Sequence, residues 1–375
     1  MNNPFVTKGY AGPEYFCDRV KETENVVRLL TNENNMALIS PRRLGKTDLI
    51  RQCFSLPEIS TKYYTFLIDI YATNSLSDFV EIFGRAILEE LKPLGRKAWE
   101  QFFSAIKSIQ QQISFDINGN PVWGIGLGTA SNPATTLDEI FKYLGNADRP
   151  CLVAIDEFQR ITEYPNGQNV EALLRTYIQR CNNATFLFSG SKRHLMSEIF
   201  TSPARPFYQS VVTMGLGPIP EDRYADFAMK LFANNNKTLP LEVVQQVYRR
   251  FHGTTAYLQR LMNVLFFNTE QGKACSPDMI DDAIHYLIGL NSEHYETFFS
   301  QLSEKQRLLF VAIASEKSVK SISSAEFTHK YHLSSPSSAV SAMRGLLEKD
   351  FVTQDKGEYY IYDQLFQMWV EDNYV

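Results

Sequence analysis

"MALISPRRLGKTDLI", residues 36–50, runs four apolar residues into a turn carrying two adjacent arginines, then Gly-Lys-Thr and a new apolar stretch. Cations crowded on one turn repel each other, so the crowding is tolerable only where something anionic sits among them. The spacing from Ser40 to Thr47 says what that is. A strand, then G-x-x-x-x-G-K-[ST], then a helix describes a loop whose backbone N–H groups wrap a phosphate chain, here with serine in place of the first glycine. Residues 36–39 are the expected strand. Gly45 permits close backbone approach, Lys46 reaches the terminal phosphates, and Thr47 offers a hydroxyl to Mg²⁺ at a helix N-terminus that favours anions. Ser40, Pro41, Arg42, Arg43 and Leu44, with Asp48 in the first helical turn, complete the expected ATP/ADP-contacting set. A left-handed backbone at Ser40 costs about 1 kcal/mol relative to glycine. Taken alone, the stretch is also compatible with a basic strand-to-helix turn that binds nothing.

A second stretch bears on that choice. "CLVAIDEFQRI", residues 151–161, is an apolar run of strand length ending in adjacent carboxylates, the pattern of a buried parallel strand. Open α/β sheets place ligands at the carboxyl ends of their strands, where Asp156 is expected to hold the water shell of Mg²⁺ and Glu157 to polarise an attacking water. Alone, such paired acids read as a solvated strand end; with a GKT loop upstream, each half requires the other's chemistry. The metal ligands expected are Thr47 and Asp156, and the catalytic groups Lys46, Glu157 and Ser189. Ser189 closes a third strand, "ATFLFSGSKRH", expected between the phosphate loop and the Asp156 strand, where a polar end orients the water. An ordinary Ser-Gly strand-to-loop turn explains the same residues without a ligand.

A length of 375 residues sets a prior of two or three domains, and 44% hydrophobic with 21% charged residues is globular composition. A formal net charge of −5 argues against wholesale binding to nucleic acid or membrane surfaces. The five cysteines, Cys17, Cys53, Cys151, Cys181 and Cys275, are scattered, odd in number and mostly inside apolar runs, so they read as buried small hydrophobes in a reducing compartment. With no signal core and no apolar run of membrane-span length, the expected location is the cytoplasm.

Strands and helices alternate from residue 36 to 188, including "YYTFLIDIYATNS" and a helical stretch over 76–91, which implies a parallel sheet covered on both faces. Residues 111–128 interrupt it with Asn-Gly-Asn-Pro between alternating runs and read as a hairpin. Their "GIGLG" lacks the dinucleotide spacing and opens no helix. After "GLGPIP" the chain turns helical by periodicity to about residue 290. The last segment carries helical patterns in "EKQRLLFVAIASE", "SAEFTHKYH" and "SPSSAVSAMRGLLEKD", then alternating runs around Lys356-Gly357, which together describe a winged helix.

These features resemble the archaeal and bacterial AAA-like ATPases of the STAND class, signal-transduction ATPases with numerous domains, close to the group whose phosphate loop reads GPRRxGKT. "YFCDRVKE" matches that group's F-x-G-R-x-x-E opening at Phe16, Arg19 and Glu22, with Asp18 where glycine is usual. "GTTAYLQ" is similar to the G-x-P-x-Y-L lid motif at Gly253, Tyr257 and Leu258, with Thr255 in place of proline. "RPFYQS" resembles the PLYGR-like stretch, with Gln209 in place of arginine. The resemblance implies an α/β parallel-sheet P-loop NTPase core over residues 1–215, a helical lid over 216–298 and a winged-helix domain over 299–375. It also implies an opening segment packed on the adenine, with Arg19 near the nucleotide. Of Arg42 and Arg43, one is expected to face phosphate and the other to pair with an acid elsewhere.

A winged helix can enter a DNA groove, so a rival function is an ATP-dependent transcription regulator. Charge discriminates. Residues 301–375 hold eight Lys+Arg (305, 307, 317, 320, 330, 344, 349, 356) against ten Asp+Glu (304, 316, 326, 348, 350, 355, 358, 363, 371, 372), a formal −2. That is no electrostatic footprint for DNA. The module is instead expected to dock on the lid or a partner through Phe351, Tyr360, Tyr362, Phe366 and Trp369. The function expected is a slow Mg-dependent ATPase acting as a conformational switch, working through a protein partner or self-association. A nucleotide-bound scaffold without turnover ranks lower, because Lys46, Thr47, Asp156 and Glu157 are all present.

Overall fold

A computed structural model describes residues 3–91, 113–115, 121–123, 133–355 and 357–375. The chain divides into two compact units, one formed by Val6–Phe227 with Gly253–Tyr257 and the other by Met1–Phe5, Ala228–His252 and Leu258–Val375.

In the first unit the order is α1 (Val20–Thr31), β1 (Met36–Ile39), α2 (Lys46–Ser55), α3 (Pro57–Ser60), β2 (Tyr64–Asp69), α4 (Leu76–Glu90), β3 (Ile113–Phe115), β4 (Pro121–Trp123), α5 (Pro133–Gly145), β5 (Cys151–Asp156), α6 (Gly167–Arg180), β6 (Ala184–Gly190), α7 (Arg193–Thr201) and β7 (Val212–Gly215). Five of the strands form one sheet in the order β2-β5-β6-β1-β7, with every pairing parallel. β6 therefore lies between β1 and β5, as the sequence led one to expect. Alternation along the strands supplies both faces with apolar side chains. Ala37, Val153, Ile155, Phe186 and Phe188 join Phe83, Ile140, Leu174 and Met196 in one cluster with α4 to α7. Met36, Leu38, Leu152, Ala154 and Leu187 join Val27, Leu30, Leu49 and Ile50 in the other with α1 and α2. A sheet covered on both faces buries its ladder, and only its strand ends are left for polar chemistry.

The pairing of Ile113 with Trp123 and Phe115 with Pro121 is the antiparallel ladder of the expected hairpin; its turn and the "GIGLG" segment lie outside the described residues. β7 was not foreseen. It pairs Met36 with Val212 and Ile39 with Gly215 at the sheet edge, and its four residues are too short and too exposed for a periodic signal. One charged pair is sealed into this unit: Glu171 of α6 is buried and held by Arg205, which also lies 3.4 Å from Glu198. Burial pushes the Glu171 carboxyl up to about 7 against the opposing pull of Arg205.

The chain continues through α8 (Glu221–Ala233), α9 (Leu241–Arg250), α10 (Thr255–Asn268), α11 (Met279–Gly289) and α12 (Ser292–Ser300). In the second unit Phe5 packs on Phe232 and Phe266 with ring centroids 5.6 and 6.0 Å apart, and Asn263 donates to the Phe5 carbonyl at 2.7 Å. Then come α13 (Glu304–Glu316), α14 (Ala325–Lys330), α15 (Pro336–Glu348), β8 (Val352–Asp355), β9 (Glu358–Ile361) and α16 (Gln364–Tyr374). Ser303, Ser324 and Ser335 cap the three helices with their hydroxyls, and Gln306 returns the bond to Ser303 in a capping box. β8 and β9 form the wing, which Val319 extends by two backbone bonds with Tyr359 at 2.8 and 2.9 Å. Lys356 lies outside the described residues.

α16 positions two of the docking aromatics. Phe366 stacks on Tyr295 at 4.9 Å and meets Phe310 at 5.1 Å, while Trp369 packs on Phe299 and donates its indole N–H to Ser292. Both are buried in the core of their own unit. Of the two docking surfaces expected, a lid or a partner, these rings meet residues of the span expected as lid, Ser292 and Tyr295, and their burial leaves neither ring to a partner.

Candidate active site

The loop after β1 is built around a buried ammonium. Lys46 Nζ donates to the carbonyls of Ser40 and Pro41 at 2.9 and 3.0 Å, so the loop closes on its own lysine. Burial lowers the Lys46 pKa first of all; Glu157 and Asp156 oppose the shift, and Arg42 and Arg193 add to it. Thr47 Oγ1 donates to Asp156 Oδ2 at 2.7 Å, tying the start of α2 to the end of β5, and Asp156 Oδ1 accepts the Glu157 N–H at 3.0 Å. Asp48 sits half-buried in the first turn of α2, its pKa raised by burial and lowered by Arg51.

Ser40 does not need the glycine it replaces. The positive φ angles of the turn fall at Arg43 (69°) and Gly45 (85°), and Ser40, buried, donates its N–H to the Gly190 carbonyl at 3.3 Å. The cost expected for serine in a left-handed conformation therefore does not arise. Arg43 is anchored instead. Its carbonyl accepts the Ala256 N–H at 3.1 Å, and its guanidinium lies 4.8 Å from the centroid of the Tyr257 ring. That contact sets the cation on an aromatic face.

Arg42 goes the other way. Its Nε donates to Ser191 Oγ at 3.1 Å, and Ser191 Oγ donates to Glu157 Oε2 at 2.7 Å. Gln159 Nε2 also donates to Glu157 Oε2. Glu157 itself has a left-handed φ of 56°, which turns its carboxylate off the strand toward these donors. Sequence reasoning singled out Ser189, whereas the structure brings Ser191 to the carboxylate. Ser189 Oγ is buried and makes no hydrogen bond. β6 ends at Gly190, so Ser191 is the first residue free to leave the ladder; the second serine in "SGS" was the available signal. Asp69 was also missed. It pairs in register with Asp156, and burial raises its pKa with Asp156 and Glu157 adding to the effect.

Arg19 is buried and acts on the loop through its backbone. Its guanidinium donates to the carbonyls of Gly217 (2.6 Å) and Leu44 (3.4 Å) and pairs with Glu22 at 2.8 Å. Asp18, where glycine is usual, has φ 53° and Arg19 φ 63°, so this bend carries two left-handed residues in succession. That backbone turns the guanidinium inward.

Among the described residues no cluster of three or more His, Cys, Asp or Glu could hold a metal by itself. A single hydroxyl–carboxylate pair beside a phosphate loop suits Mg²⁺, which keeps most of its waters and takes its remaining ligands from substrate phosphates. Thr47 and Asp156 fit that requirement.

Residues 293–372 match a family profile described as "Probable winged helix domain". No curated protein matches the chain. Among solved structures it is similar to the Walker-type ATPase PABY2304 of Pyrococcus abyssi, with 17% identity, a TM-score of 0.65 and coverage of 98% of this chain and 99% of that one. It is also similar to the ORC2 protein of Aeropyrum pernix in its ADPNP–ADP complexes (15% identity, TM-score 0.58, 99% and 97% covered) and to the ORC1 protein of the same organism in complex with DNA (12% identity, TM-score 0.56, 99% and 97% covered). At these identities the likeness is one of fold. The chain has a parallel-sheet P-loop NTPase fold followed by helices and a C-terminal winged helix.

Proposed function

We propose that the chain binds ATP and hydrolyses it slowly with Mg²⁺, as a conformational switch of the STAND type. The observation that carries this reading is the arrangement of Lys46, closed on the carbonyls of Ser40 and Pro41, beside the 2.7 Å contact of Thr47 with Asp156. Lys46 trades its carbonyl partners for phosphate oxygens, Arg19 holds the loop from behind through Leu44, and Glu157 takes a proton from the attacking water. Thr47 and, through the metal's water shell, Asp156 would hold Mg²⁺, which would supply neutralisation of the phosphate charge. The water oxygen bonds to the γ-phosphorus as the bond to the β-phosphate oxygen breaks, and ADP leaves. In this reading residues 1–215 are the ATPase core, 216–298 the lid and 299–375 the winged helix. Arg43, anchored on Ala256 and Tyr257, links the loop to the segment that resembles the lid motif.

The test is ATP-dependent thermal stabilisation of the full chain. Wild type gains stability with Mg-ATP and Lys46→Ala does not; equal gains in both refute the site.

A second reading, a DNA-binding regulator, draws on the likeness to an ORC1 protein whose structure contains DNA. The charges speak against it: Lys330 pairs with Glu316 at 2.5 Å and Lys320 with Glu358 at 3.1 Å, which cancels part of an already acidic module. A role working through a protein partner or self-association is favoured. Among the described residues no helix is long and apolar enough to cross a membrane.

A further inference from the structure

Phosphoryl transfer is accelerated by a cation at the γ-phosphate beyond the loop lysine and the metal, because charge spreads over the equatorial oxygens as the bond to the leaving group lengthens. The stretch in which the resemblance places an arginine does not supply it. Gln209 stands at that position and donates to the Tyr208 hydroxyl at 3.1 Å, while Arg205, four residues earlier, is consumed by Glu171 and Glu198.

The phosphate loop carries its own candidate. Arg42 and Arg43 are adjacent and diverge: Arg43 lies on Tyr257, and Arg42 reaches across to the end of β6. There the Arg42 guanidinium is two hydrogen bonds from the Glu157 carboxylate, 3.1 Å to Ser191 and 2.7 Å onward. It lies 5.3 Å from the centroid of the exposed Tyr71 ring, a flat surface that fixes the plane of the fork. Arg160 shares that ring from 5.8 Å but is committed to Glu163, the Thr73 carbonyl and Asn74. Its position thus satisfies two requirements, a place in the phosphate loop four residues before Lys46 and proximity to the group that takes the water's proton.

We infer that Arg42 is the cation that stabilises the transferring phosphoryl group from within the same chain, and that its hydrogen bond to Ser191 sets its place beside Glu157. The inference rests on the ATPase reading above. Ser191 holds both Arg42 and Glu157. When a γ-phosphate competes for the Arg42 fork, Ser191 keeps only the carboxylate, and the cation and the base come to lie on either side of the attacking water. Bond making and breaking are those of ordinary hydrolysis: the water oxygen joins the γ-phosphorus, the β–γ bridging bond breaks, and the water's proton passes to Glu157.

The experiment uses the full chain and separates binding from transfer. Fluorescent ADP titrated in Mg²⁺ reports the ground state, phosphate release reports turnover, and retention of ADP in aluminium fluoride reports the transition-state geometry. For Arg42→Ala the expected result is ADP affinity within about threefold of wild type, phosphate release lower by at least roughly a hundredfold, and loss of aluminium fluoride retention. Arg42→Lys keeps charge without the fork and should recover part of the rate at unchanged ADP affinity. Should Arg42→Ala fail to fold, the Lys variant decides by the same split: a drop of at least about tenfold in release at wild-type ADP affinity supports the inference, and a wild-type rate overturns it. Loss of ADP binding with a normal melting transition would assign Arg42 to ground-state binding and overturn the inference. So would loss of retention in Arg193→Ala with retention kept in Arg42→Ala. A wild-type chain that binds ATP without releasing phosphate or retaining ADP overturns the Arg42 role alone, whereas wild-type binding by Lys46→Ala overturns the underlying site.

Discussion

Glu171→Gln should change how the stability of the chain depends on pH, and the sign follows from the structure. The Glu171 carboxyl is buried, and one of its oxygens has no hydrogen-bond partner, so burial raises its pKa from 4.5 to about 7 even with Arg205 and its charge beside it. The folded carboxyl has the higher pKa. Between pH 4.5 and 7 the folded chain therefore keeps a proton that the unfolded chain releases, and stability falls as pH rises through that window. At 1.36 kcal/mol per pH decade, the full penalty above pH 7 is about 3 kcal/mol. Glutamine keeps the shape and still accepts from Arg205 but cannot ionise. Urea unfolding of wild type and variant at a series of pH values, read as the difference between them, cancels every other titrating group. Relative to Glu171→Gln, wild type should lose about 3 kcal/mol between pH 4.5 and 8, so the variant gains most at alkaline pH. A difference constant to within roughly 0.5 kcal/mol across that range would refute the buried-charge account.

Three further outcomes are expected. Gly190→Ala puts a methyl group into Gln159 Oε1 and the buried Met196 side chain, a clash that should cost about 1–3 kcal/mol and slow phosphate release by shifting Gln159 off Glu157; an unchanged melting temperature contradicts this packing. Glu157→Gln should keep Mg-ATP binding and lose hydrolysis, whereas Asp156→Asn should weaken metal-dependent binding as well; phosphate release at the wild-type rate in the first would remove Glu157 as the base. The full chain should bind random and genomic duplexes no tighter than non-specifically, at about micromolar or weaker, in salt-titrated anisotropy; sub-micromolar, sequence-selective binding at physiological salt would promote the regulator reading.

What could be read from the sequence was local or set by one sheet. The GKT loop, the apolar strand ending at Asp156 and the "FSGS" strand each announce themselves within a dozen residues, and a parallel sheet must bring their carboxyl ends together. What escaped was set by contacts distant in sequence or by one residue of phase. Arg19 binds the Gly217 carbonyl across 198 positions, which no pattern encodes. Ser189 and Ser191 differ only in whether the ladder has ended. The absence of a left-handed conformation at Ser40 follows from the turn shifting it to Arg43, whose backbone is fixed by Ala256. α16 lay hidden behind the hairpin, because "QLFQMWVEDNY" is a short apolar run until Tyr295 and Phe299 give it a face to cover.

All five cysteines are buried and reduced, and burial pushes the thiols of Cys17, Cys53 and Cys151 up to about 12, that of Cys181 up to about 11, and that of Cys275 upward as well. Only thiolates react with alkylating reagents, so at neutral pH the native chain should be nearly silent to them. Each sulfur takes up label only when its own surroundings open, and the rate of uptake then measures the free energy of that opening. Four of the five sites lie in Val6–Phe227 and one, Cys275, in Leu258–Val375. Mass-resolved labelling with and without nucleotide therefore reads the local stability of both units from probes the chain already carries.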